Sequence, residues 1–278
     1  MNKTLLPLLL CLLTLGASAC VPAEHVGTIT RRVDADGVRV IRVITGSGDL
    51  EIVGGDTLTV EAVADVYAAV DEEHERSGDD GCDCAPEDAP RVDERDPLDD
   101  DDRPEATRRV TTSPLGEYVD FTLERSGDVV TLRVDPRGWR STAHVRVTVP
   151  RRLIVDLDDG SGDVVIEHVG GLTGVDGSGR LSAYDIGGDV RLTDGSGDLR
   201  VEAVTGDVTI TDGSGELAVV DVDGRVEITD GSGDLCVARA ANVSVTDGSG
   251  DIHTSEVGRL RVIEGGSGDI TNGPSSCR

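Results

Sequence analysis

From Gly160 onward the triplet Gly-Ser-Gly begins at residues 160, 177, 195, 213, 231, 248 and 266, at intervals of 17 or 18. An acidic residue follows the triplet in every unit but one, where Arg180 stands. A period of this length marks a repeat architecture, because a unit so short buries its apolar face only by stacking on the next. The unit DGSGDLRVEAVTGDVTIT reads as a Gly-rich turn, an alternating strand, a looser turn around Gly206 and a second alternating strand. Two short strands in about 18 residues describe one coil of an all-β fold, the right-handed parallel β-solenoid.

In such a stack the same repeat position recurs on the same face, about 4.8 Å further along. The position after the acidic residue reads Val164, Leu181, Leu199, Leu217, Leu235, Ile252 and Ile270. Two residues on, the column is Ile166, Ala183, Val201, Val219, Val237 and Thr254, and the second strand supplies pairs such as Val208/Ile210 and Leu260/Val262. These columns are the expected core, and Arg191, Arg200, Glu202, Thr209, Glu227 and Arg261 between them point outward by the period of two. At the C-terminal end the inward column turns polar at Thr254 and Asn272 before Gly273-Pro274, which reads as a cap.

The chain divides on composition. Residues 1–19 carry Lys3 and an apolar run from Leu5 to Leu15, too short to span a bilayer and shaped like a signal-peptide core. Cys20 follows small residues as in a bacterial lipobox and is the expected lipidation site; a plain secreted or periplasmic protein is the alternative. Val21 after that cysteine favours the outer membrane where one exists. Residues 20–65 hold alternating strands with the turn signature Gly46-Ser47-Gly48-Asp49. Residues 66–110 form an acidic insertion: Asp71 to Ala106 holds 17 Asp or Glu against four Arg, a composition that does not build a core. Strands resume over 111–150, the repeat array runs over 151–272, and 273–278 is a tail. A formal charge of −28 disfavours nucleic acid and anionic lipid headgroups as partners. The five aromatic residues suit thin stacked coils better than a globular core.

ITGSGDLEI near the start, HVRVTVPRRLIVDLDDGSGDVVI leading into the array, and the GSGD units after it resemble the bacterial "putative adhesin" family, β-solenoid domains of unknown function. The resemblance covers Val38 to Thr271, interrupted by the insertion. It implies an adhesin-like binding or scaffold role with a protein or glycan surface as partner, which the expected lipid on Cys20 would hold at the membrane of the cell envelope. It supplies no catalytic residues.

Two acidic columns flank the triplets. Asp159, Asp176, Asp194, Asp212, Asp230 and Asp247 precede them; Asp163, Asp198, Glu216, Asp234, Asp251 and Asp269 follow. Placed along one edge, unit charges at coil spacing repel by about 0.9 kcal/mol per neighbouring pair in water. The favoured reading makes each leading Asp an Asx-turn acceptor and leaves the trailing carboxylates solvated. The alternative is weak calcium binding by these carboxylates, since hard oxygen ligands suit that ion; no other cofactor is expected.

Cys82, Cys84, Cys236 and Cys277 are an even number in an exported chain, with three possible disulfide connectivities. A Cys236–Cys277 bridge would pin the C-terminal end and leave Cys82 with Cys84. A metal site of Cys82, Cys84 and His74 lacks a fourth ligand. The Ser column is repeated in every coil, as turn geometry is and a nucleophile is not. Glu167 and His168 are an acid/base pair only by sequence adjacency. A polysaccharide-acting β-helix enzyme is therefore the last-ranked alternative to a non-enzymatic binding or scaffold protein.

Overall fold

The computed structural model describes residues 23–69, 114–138, 141–273 and 277, and it is a β-solenoid of stacked parallel strands. Cys20, where lipidation is expected, the apolar N-terminal segment, His74, Cys82, Cys84 and most of the acidic insertion lie outside the described residues. Each coil contributes two strands. One ribbon stacks β8 (Ile154–Ser161), β10 (Gly171–Asp176), β12 (Val190–Asp194) and β14 (Val208–Asp212). The other stacks β9 (Val164–Glu167), β11 (Gly179–Ile186) and β13 (Gly197–Val204). Further along, β15 (Leu217–Asp230), β16 (Leu235–Ser249) and β17 (Ile252–Ser267) run round the corner and serve both ribbons, and β18 (Ile270–Asn272) ends the stack.

The order of coils does not follow the order of the sequence. β2 (Val40–Ser47) pairs in parallel with β8 on one side and with β6 (Val129–Pro136) on the other. Likewise β3 (Leu50–Gly55) lies between β9 and β7 (Ser141–Pro150). The coil carrying Gly46-Ser47-Gly48 is thus slotted between two coils built from residues 129–167. Its turn joins the array directly, the Gly48 amide donating to the Ser161 carbonyl at 3.1 Å. Antiparallel strands close this end of the stack: β4 (Thr59–Ala69) on β7, β1 (Ala23–Asp34) on β4, and β5 (Val119–Ser126) on β6. β4 continues past the boundary expected at residue 65.

The expected columns form the interior. Val164, Leu181, Leu199, Leu217, Leu235 and Ile252 are at most 1 % exposed, and full burial of each such side chain is worth about 1.5–3 kcal/mol. The last coil departs from the expectation. Ile270 is 51 % exposed, Leu260 and Val262 are half-buried and Asn272 is exposed, because among the described residues nothing stacks beyond them.

Glycine in the turn is a steric necessity. At Gly215 φ is +144° and an added Cβ would lie 1.6 Å from the Gly197 carbonyl oxygen of the preceding coil. The coils approach this closely because their turns are hydrogen-bonded to each other, Gly197 N to Ser214 O at 3.0 Å and Gly215 N to Ser232 O at 3.1 Å. At the opposite corner His168, Asp185, Ala203, Asp221, Arg239 and Glu256 hold φ between 53° and 59° without being glycine.

Candidate functional site: two carboxylate ladders in opposite environments

The leading aspartates face the interior. In β12 the inward positions are Val190, Leu192 and then Asp194, so the alternation that builds the core carries its last inward residue to the edge of the turn. The register stacks Asp159, Asp176, Asp194, Asp212, Asp230 and Asp247 on one another in consecutive coils. All six are between 1 % and 3 % exposed. This corrects the reading of two acidic columns along one edge.

An Asx turn would bring the serine amide two residues on to each leading carboxyl, and the amides of Ser178, Ser196, Ser214 and Ser232 do lie beside Asp176, Asp194, Asp212 and Asp230, without a bond of good geometry. The glycine amide behind each Asp bonds to the preceding coil instead, Gly177 N to Asp159 O, Gly195 N to Asp176 O and Gly213 N to Asp194 O, all at 3.0 Å. Of the twelve carboxylate oxygens in the ladder, eleven lack a hydrogen-bond partner among the described residues. The twelfth, Oδ1 of Asp159, accepts from the Thr45 hydroxyl, which caps the ladder in the neighbouring coil. At the far end Asp247 stacks on Gly265, which has no side chain to offer.

Burial therefore works against charge at Asp159, Asp176, Asp194, Asp212 and Asp230. It pushes Asp194 up to about 7, with the neighbouring charges of Asp176 and Asp212 adding to the effect. Asp230 is likewise raised to about 7, by burial and then by Asp212 and Asp247, and Asp176 to about 6, by burial and then by Asp159. Asp159 and Asp212 are raised too, again chiefly by burial. The amides of Gly195 and Ser196 pull Asp194 the other way from close by, but neither makes a hydrogen bond of good geometry and burial prevails.

The trailing carboxylates are exposed, yet they are not merely solvated. Asp163, Asp198, Asp234 and Asp251 reach along the stack to accept the main-chain amide at the same position of the next coil. Asp163 takes the Arg180 amide at 3.2 Å, Asp234 that of Asp251 at 3.1 Å, and Asp251 that of Asp269 at 2.9 Å; Asp198 takes Glu216 at 3.4 Å. Asp189 and Asp207 do the same at the second corner. This ladder ties successive corners together, and Glu216 and Asp269 enter it as donors, through their own main-chain amides.

Other singled-out residues separate. His168 Nδ1 meets Asp185 Oδ2 of the next coil at 2.6 Å, so its partner is Asp185 and not Glu167. Cys236 and Cys277 form a disulfide that holds Cys277 against the outer face, beside Ala218, Val220 and Ala238, with the Cys277 carbonyl accepting from Arg200. Among the described residues no three His, Cys, Asp or Glu side chains converge on one point.

A groove of about 670 Å³ crosses the outer face of the first ribbon. Its floor is the register row Arg42, Asp156, Thr173, Arg191 and Thr209, with Arg42 Nε donating to Asp156 at 2.7 Å. Beside it runs a row of one residue type, Thr193, Thr211, Thr229 and Thr246. Composition gave no hint of this face, although the strand endings LTD, ITD, ITD and VTD spell out the row.

No curated protein matches the chain. Similar solved structures include a "putative adhesin" from Bacteroides fragilis, at 13 % identity and TM-score 0.42 over 88 % of this chain and 97 % of that one. Another is a "putative lipid binding protein" from Parabacteroides distasonis, at 16 % identity and TM-score 0.42 over 88 % and 96 %. A third is a "putative cell adhesion protein" from Clostridium sporogenes, at 10 % identity and TM-score 0.35 over 90 % and 99 %. Residues 116–271, from β5 through the repeat array, match the Toastrack DUF4097 family, and the chain belongs to that family.

Proposed function

We propose that this protein is a non-enzymatic binding or scaffold module of the cell envelope, held at the membrane by lipid on Cys20, and that the outer face of its first ribbon is the binding surface. The observation that carries the reading is the register of that face: Thr193, Thr211, Thr229 and Thr246 recur at coil spacing beside the Arg42–Arg191 groove. Hydroxyl donors and acceptors repeated about every 4.8 Å suit an extended polar polymer better than a compact metabolite. Arginine and aspartate in the same groove add orienting hydrogen bonds. A glycan chain of the envelope is the partner this chemistry favours.

Two measurements test it. In cell fractionation the native chain should sediment with membranes and Cys20→Ser should be released; a native chain found wholly in the soluble fraction removes the anchor. In affinity electrophoresis through gels containing envelope polysaccharide, the native domain should be retarded and Thr193→Val/Thr211→Val should migrate freely. Equal mobility of the two proteins at every glycan tested would overturn the assignment of the face.

A further inference from the structure

The inward ladder is the largest electrostatic anomaly in the molecule. Six carboxyls lie in one line through consecutive coils, each at least 97 % buried, with eleven oxygens that no donor among the described residues satisfies. Each is stacked against the carboxyls of the neighbouring coils, and like charges side by side do not satisfy one another. A buried charge needs a partner, and a buried acceptor needs a donor or a cation. Thr45 meets this need at one oxygen of Asp159 and at no other. The outward ladder has no such deficit, since its members accept main-chain amides.

Ligand type and cage geometry select the cation. Oxygen-only carboxylate ligands favour hard ions over zinc or copper. Calcium accepts irregular oxygen cages of variable size, whereas magnesium demands near-octahedral geometry and gives up its waters reluctantly. We propose that the Asp159–Asp247 ladder is a calcium site, with ions in the gaps between coils bridging the carboxyls of successive turns. Three divalent ions neutralise the six carboxylates. Each gap offers four side-chain oxygens where calcium takes six to eight, so the affinity expected is that of weak extracellular sites, about 10⁻⁴–10⁻³ M. This site is on the opposite side of the strand from the glycan-binding face and does not depend on that reading.

The test uses the purified full chain stripped in EDTA and returned to about 5 mM CaCl2 or MgCl2 at matched ionic strength, a concentration above the expected affinity range. Bound metal is counted by atomic emission after equilibrium dialysis, and the thermal midpoint is read in parallel. Calcium bound at up to three per chain, with a midpoint rise of roughly 3 °C or more that magnesium does not reproduce, supports the site. Asp194→Asn/Asp212→Asn should lose at least one ion, while the outward pair Asp198→Asn/Asp234→Asn keeps them all. No bound calcium, an equal response to magnesium, or full binding by the inward variant overturns the proposal and leaves the ladder neutralised by protons. Should the double variant fail to fold, the metal count on the native chain and on Asp230→Asn decides.

Discussion

Thr45 and Asp159 stand 114 residues apart, yet they stack in neighbouring coils, and the Thr45 hydroxyl donates to the Asp159 carboxyl. That contact ties the coil formed before the acidic insertion to the array formed after it. It also marks where the inward carboxyl ladder ends.

Acid should stabilise this fold when calcium is absent. The raised values at Asp176, Asp194 and Asp230 mean that the folded chain keeps protons that an unfolded Asp releases near 3.9. Stability is then complete below about pH 4 and falls as pH rises through about 7, where the unfolded chain binds fewer protons. In EDTA the unfolding free energy from urea titration should drop between pH 4.5 and pH 8, by an amount on the order of a few kcal/mol. Asp194→Asn should flatten the profile, and Asp198→Asn should not.

Gly215→Ala should be severely destabilising, by roughly 4 kcal/mol or more, because the methyl would overlap the Gly197 carbonyl at positive φ. Gly127 is the control. It also has positive φ, at 63°, but an added Cβ meets nothing within 4 Å, so Gly127→Ala should cost only about 1–2 kcal/mol. Denaturant unfolding of the two variants checks the difference.

Removing one outward carboxylate should cost an inter-coil hydrogen bond. Asp234→Ala leaves the Asp251 amide without its acceptor and should destabilise by about 1 kcal/mol. Asn keeps a side-chain carbonyl oxygen and should recover most of the loss. A simple reduction of surface charge would predict that both substitutions stabilise, so unfolding midpoints separate the explanations.

Opening the Cys236–Cys277 bridge should loosen the last coils and leave the rest intact. The linked cysteines are 41 residues apart, for which chain entropy predicts about 4 kcal/mol. In Cys236→Ser/Cys277→Ser, amide hydrogen exchange should accelerate in β16 to β18 and remain slow in β8 to β13. Uniform acceleration would show that the array unfolds as a single unit.

The coil was legible from the sequence because the triplet and the apolar columns share one period, and Val164 through Ile252 sit where that period places them. Asp194 was misplaced because two local signals compete at it. Asp-Gly marks a turn, and turns belong to the surface, yet the alternation Val190, Leu192, Asp194 sends the same residue inward. Parity was the stronger guide, and it decides the environment of all six leading aspartates. The amide acceptance by Asp163, Asp234 and Asp251 is a relation between coils, which no single unit encodes. The place of residues 40–55 in the stack was equally hidden, since their turn signature announces a coil without naming its neighbours.

That placement governs the time course of folding. A chain that emerges from its N-terminus exposes β2 and β3 early, but both of their flanking coils consist of residues 129–167. These strands can neither complete their pairing nor bury Ile41, Val43, Leu50 and Ile52 until more than 100 further residues have appeared. A solenoid is ordinarily free to zip one coil at a time from either end. This one has to hold its first coil open as a cleft awaiting its walls, so the start of the array, and not the start of the chain, is where order begins.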